Sequence, residues 1–133
     1  MTKRDIASKI ELVKKYLAQA KKYSKLSHVQ LLASDEKRLA VERALFLVAQ
    51  AAIDLAEAYC HLKEYQRPAS MHESIAILRD NKVIDEPLCA NLLKMVGFRN
   101  VLTHGYAKID YSKLIEVLRT GLKDIEKLLR AVR

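Results

Sequence analysis

Apolar positions along this chain repeat at steps of three and four, the period of an α-helix, almost from its start. Ile6, Ile10, Val13, Leu17 and Ala20 form the first seam and predict a helix over about 3–25, with Thr2 as N-cap. From Ser24 to Ala33 the period loosens, and the segment reads as a connection with some apolar character. Ser34, followed by Asp35 and Glu36, then opens a longer helix of roughly 35–64. A serine oxygen there can cap free amides, and acids suit the positive end of the helix dipole. Two seams run side by side along this second helix. One is Val41, Leu45, Val48, Ala52, Leu55, Tyr59 and Leu62; the other is Phe46, Ala49, Ile53, Ala56 and Cys60. So broad an apolar face needs more than one neighbour. The helix is therefore either central and touched from two sides, or part of a dimer interface. Its opposite face carries Arg43, Gln50, Asp54, Glu57 and His61.

Arg67-Pro68 ends that run, and Ser70-Met71-His72-Glu73 has the spacing of a capping box, predicting a short helix over 71–80. Asn81 to Asp85 turns the chain. Asp85-Glu86-Pro87 opens a fourth helix, which runs through Leu92, Met95 and Val96 and should stop near His104-Gly105. Asp110 caps a fifth over about 111–132, with its seam at Ile115, Leu118, Leu122, Ile125, Leu129 and Val132. The pattern predicts an all-α, up-and-down bundle of about five helices in a single domain, 1–133.

Composition narrows the picture. Half of the 133 residues are apolar and only five are Gly or Pro, as a helical domain with one core requires. Lys and Glu interrupt every apolar run before membrane-spanning length, and the charged start, Met-Thr-Lys-Arg-Asp, does not read as a secretory signal. Cys60 and Cys89 stand alone within apolar seams and read as buried thiols of a reducing compartment. A cytoplasmic protein with no membrane contact is the expectation. Of the net charge of +8, +6 sits in residues 1–25, where Lys3, Arg4, Lys9, Lys14, Lys15, Lys21, Lys22 and Lys25 face only Asp5 and Glu11. Such a stripe is either a solvated helix face or an attractor of phosphate, RNA or an acidic partner. Charge alone does not choose.

Candidate chemistry concentrates where the fourth helix breaks: Arg99-Asn100-Val101-Leu102-Thr103-His104-Gly105-Tyr106. Arginine is a permanent cationic fork suited to phosphate, and histidine exchanges protons near neutral pH. Together they can cut a phosphodiester without a metal. Asn100 and His104, four apart, share a helix face, whereas Arg99 and His104 are about 140° apart around an ideal helix. One chain thus makes a poor site, and two copies about a two-fold axis would bring two of each residue together. An Arg and a His at a helix C-terminus also fit a purely structural role against the dipole, with Gly105 an ordinary residue after the last turn.

The chain resembles the HEPN ribonucleases, whose signature is Arg-x4-His-x-Tyr, and within them the HepT-type branch that accompanies minimal nucleotidyltransferases. The likeness covers roughly residues 31–130. It includes Leu31-Leu32-x-x-Asp35, Ala40-Val41-Glu42-Arg43-Ala44-Leu45 and Gln50-Ala51-Ala52-Ile53-Asp54-Leu55-Ala56. Pro68-x-Ser70-x-x-Glu73, Met95-Val96-Gly97-Phe98-Arg99-Asn100 and His104-Gly105-Tyr106-x-x-Ile109-Asp110 complete it. The resemblance implies a dimerising helical bundle that cleaves RNA, tRNA or mRNA, without a metal or other cofactor. His104 would be the general acid/base for attack by the ribose 2′-OH, Arg99 would stabilise the charged transition state, and Asn100 would orient the phosphate or the imidazole. It further implies a partner nucleotidyltransferase antitoxin that places AMP on Tyr106, blocking RNA with bulk and negative charge.

Asp54 is either a member of the polar stripe with Gln50, Glu57 and His61, or a partner of Arg99 or His104. His28, His61 and His72 lack ligand spacing, so no metal site is expected. A reading from another class also fits the chain: a non-catalytic helical subunit that presents nucleotide or substrate to a nucleotidyltransferase. The complete Arg99, Asn100 and His104 set favours the ribonuclease.

Overall fold

The computed structural model describes residues 2–104 and 109–132. Its elements are α1 (Lys3–Lys21), α2 (His28–Leu32), α3 (Asp35–Leu62), α4 (Met71–Asp80), α5 (Glu86–His104), α6 (Tyr111–Glu116), a π-helical turn (Val117–Gly121) and α7 (Leu122–Ala131). No described helix is long and apolar enough to cross a membrane.

Side-chain caps start the helices where the sequence offered them. Thr2 Oγ1 accepts from the Asp5 amide at 3.2 Å, and the Asp5 carboxylate accepts from the Thr2 amide at 2.8 Å. Ser34 accepts from the Lys37 amide, Ser70 from Glu73 and Asp85 from Leu88. Asp110 takes two amides, those of Ser112 and Lys113. Each cap satisfies an amide that the helix leaves without a partner, worth about 1 kcal/mol.

α3 is the central helix. Thirteen of its 28 residues are buried, including both expected seams apart from half-buried Phe46 and Leu62. It packs against α1, α2, α4 and α5, while α5 reaches α4 and α7. Four neighbours account for the broad apolar face within one chain. Leu55 is wholly buried, so Leu55→Ala should cost about 2–5 kcal/mol. Cys60 and Cys89 are wholly buried too, and burial pushes both thiols above their ordinary range, which disfavours the thiolate.

The structure differs from the sequence pattern at three places. The 24–33 connection contains α2, capped reciprocally by Ser27 and Gln30. Arg38 anchors it, donating to the carbonyls of Leu31 and Leu32 while pairing with Asp35. Only Leu31 of α2 is buried, so no seam betrayed the helix. α1 stops at Lys21, four residues short of the expected end. The last helix is interrupted by its π-helical turn, although Ile115, Leu118, Leu122, Ile125, Leu129 and Val132 are all buried as the seam required. One lysine of the basic stripe is stitched to the bundle, Lys21 pairing with Glu126 of α7 at 2.6 Å, while Lys14 pairs within α1 with Glu11 at 3.4 Å.

Candidate active site

α5 delivers the motif. Leu88, Cys89, Leu92, Met95, Val96, Phe98 and Leu102 bury it from several sides and fix its rotation about its axis. Arg99 then faces α3, where it is half-buried. Its Nε donates to Gln50 Oε1 at 2.7 Å and its Nη1 to Asn100 Oδ1 at 3.1 Å. The guanidinium carbon lies 5.2 Å from the centroid of the Phe46 ring, a cation–π contact. Thr103 Oγ1 donates to the Arg99 carbonyl at 3.0 Å.

Gln50 has a second contact. Its Nε2 donates to Asp54 Oδ1 at 2.9 Å, one turn along α3. Arg99, Gln50 and Asp54 therefore form a relay in which the amide accepts from the cation and donates to the anion. The carboxylate acts on the guanidinium through an oriented dipole. Among the described residues Asp54 makes no direct ion pair with Arg99 or His104.

His104 is the last residue of α5 and is exposed, without a hydrogen bond to Arg99, Asn100 or Asp54 among the described residues. The structure thus assembles Arg99, Asn100, Gln50 and Asp54, and it leaves the imidazole standing free of them. Tyr106 and Gly105 lie outside the described residues. No group of three His, Cys, Asp or Glu side chains able to hold a metal occurs among the described residues.

Sequence reasoning assigned no role to Gln50 or Phe46. Gln50 was visible on the polar face of α3 beside Asp54, and Phe46 was absorbed into an apolar seam. Their contacts to Arg99 span 49 residues or more of chain, which no local spacing reports. Phe46 also carries the Arg43 guanidinium, 5.3 Å from its centroid.

Comparison with known proteins fixes the family. The model of the HepT-like ribonuclease family matches residues 13–132. The chain belongs to the HepT-like family. Among its members, an mRNA nuclease HepT of Shewanella oneidensis is 31% identical over 84 residues, which are 63% of this chain and 63% of that relative's length. A tRNA nuclease HepT of Aphanizomenon flos-aquae is 27% identical over 127 residues, 96% of this chain and 86% of that protein. The HepT-like fold is shared with a solved structure of a tri-AMPylated Shewanella oneidensis HEPN toxin in complex with an MNT antitoxin. That likeness has a TM-score of 0.87 and 26% identity, over 99% of this chain and 98% of the other.

Proposed function

We propose that the protein is a metal-independent endoribonuclease, the toxin of a pair whose antitoxin is a minimal nucleotidyltransferase. The observation that carries this reading is the held guanidinium of Arg99. Gln50, Asn100 and Phe46 fix it in place on α5, which ends in the exposed imidazole of His104, on a chain whose relatives are named mRNA and tRNA nucleases. A guanidinium fixed before substrate arrives stabilises developing phosphate charge without reorganisation.

In this reading His104 takes the proton of a ribose 2′-OH as its oxygen attacks the adjacent phosphorus. The bond from phosphorus to the 5′-oxygen breaks, that oxygen takes a proton from solvent water, and a 2′,3′-cyclic phosphate remains. Arg99 neutralises the pentacoordinate phosphate, and Asn100 orients Arg99. Gln50 and Asp54 are positioning residues behind it. DNA lacks the 2′-OH and resists this chemistry. The separation of Arg99 from His104 within one chain supports a homodimer, in which two single HEPN-type domains, 1–133, face each other across a composite cleft in the cytoplasm.

The tri-AMPylated toxin of similar fold supports the matching regulation. The antitoxin would transfer AMP from ATP to the Tyr106 hydroxyl, with pyrophosphate leaving. The test is expression alone and with the antitoxin. The wild-type chain should arrest growth while His104→Ala does not, and co-expression should add one or more AMP masses that Tyr106→Phe abolishes. Equal tolerance of wild type and His104→Ala would instead favour a non-catalytic partner subunit.

A further inference from the structure

Beside Arg99, between α3 and the end of α5, lies a groove of about 300 Å³ lined by Leu39, Glu42, Arg43, Phe46, Leu102 and Thr103. We infer that this groove is a nucleobase subsite, and that Glu42 makes it select a base carrying an exocyclic amine. The inference rests on the ribonuclease reading for its substrate and goes beyond it in naming a determinant of specificity.

The shape and chemistry agree. The groove is at the small end of ligand sites, the scale of one flat heterocycle. Its lining sets apolar Leu39, Phe46 and Leu102 among polar Glu42, Arg43 and Thr103, and Arg43 is exposed. Single-stranded RNA is read by stacking splayed bases on aromatic rings and Arg planes. Phe46 is shared by the guanidiniums of Arg43 and Arg99, so a base at Arg43 lies next to a phosphate at Arg99.

Glu42 supplies the discrimination. Tyr111 Oη donates to its Oε2 at 2.9 Å, fixing the carboxylate, and among the described residues Oε1 has no hydrogen-bond partner. A carboxylate only accepts, so it welcomes the exocyclic amine of adenine, cytosine or guanine and disfavours uracil, which presents the O4 carbonyl where cytosine has its amine. A second protein copy would be a poorer occupant, because an apolar face pressed here would strand the Glu42 charge.

The experiment measures binding of 2′-O-methyl A, C and U octanucleotides, which cannot be cleaved, to the full chain and to Glu42→Gln and Arg43→Ala. Glutamine can still accept from Tyr111, so the fold contact survives. Wild type should prefer the A and C oligomers to U by about fivefold or more. Glu42→Gln should bring all three within about twofold, and Arg43→Ala should weaken A and C binding by about tenfold. No base preference in the wild type overturns the inference, as does a preference untouched by Glu42→Gln. Loss of dimer mass in either variant by light scattering also overturns it, since the groove would then be an interface. Cleavage of ordinary RNA is read alongside: cleavage without base preference sinks the subsite and leaves the ribonuclease, and preference without cleavage does the reverse.

Discussion

Much depends on how Arg99 is held. A guanidinium fork satisfied by Gln50 on one side and Asn100 on the other has one orientation, and lysine cannot reproduce that geometry. Gln50→Ala would strand a half-buried N–H of a charged group, at a cost of about 1–3 kcal/mol of stability. It should also lower kcat by about 10–100-fold with KM little changed, because the lost interaction positions the transition state and not the ground state. Thermal melts and steady-state RNA cleavage check both halves. An unchanged kcat in a destabilised variant would leave Gln50 a structural residue only. Arg99, Asn100 and His104 stand out in the sequence because they fall within six residues and are chemically conspicuous. Gln50 was not, because its role is defined by a contact across 49 residues of chain.

Elements were legible wherever the physics is local. Caps at Thr2, Ser34, Ser70, Asp85 and Asp110 need only a side-chain oxygen three residues from an amide, and all five formed. Helix ends varied: α4 stops at Asp80 as expected, α3 two residues and α1 four residues before the expected end. α3 and α4 close through Glu64 (φ 57°) and Lys82 (φ 60°), ordinary residues held in the left-handed region, where a glycine would have announced the stop. Lys82→Gly should therefore stabilise the fold by about 0.5–1 kcal/mol in denaturant titration. Gly121, the last residue of the π-helical turn, sits in a crowded place. A Cβ on Gly121 would sit 3.0 Å from Val117 Cγ1 and 3.3 Å from Met95 Cε, whereas one on Gly97 would meet nothing within 4 Å. Gly97→Ala should add about 0.5–1 kcal/mol through helix propensity, and Gly121→Ala should lose about 1 kcal/mol to crowding. The same titration separates them, and equal effects would contradict the packing argument.

Glu57, also on α3, carries a pH dependence. Burial, with the Asp54 charge beside it, raises its carboxyl above the ordinary value of 4.5. The folded state therefore binds its proton more tightly than the unfolded state does. The stability this gives is present below the unfolded value and is lost as pH rises through the folded one. Glu57→Gln should accordingly raise Tm at pH 7 and leave it unchanged at pH 4. A gain at both pH values would point to something other than the carboxyl charge.

For the whole molecule the question is how Arg99 and His104 meet. α5 points the arginine inward to α3 and leaves the histidine exposed at its end, so the chain by itself does not assemble the pair. A composite cleft predicts complementation: Arg99→Ala and His104→Ala, each inactive alone, should regain part of the wild-type activity when mixed and allowed to exchange subunits. Sites built within single chains would stay dead. The most direct measurement is incubation of the unmodified protein with tRNA and total RNA in EDTA, beside Arg99→Ala and His104→Ala, with intact mass checked for AMP. Cleavage by the wild type alone, leaving 2′,3′-cyclic phosphate ends, is the expected result. Absence of cleavage by protein carrying no AMP, or cleavage that survives either substitution, would contradict it.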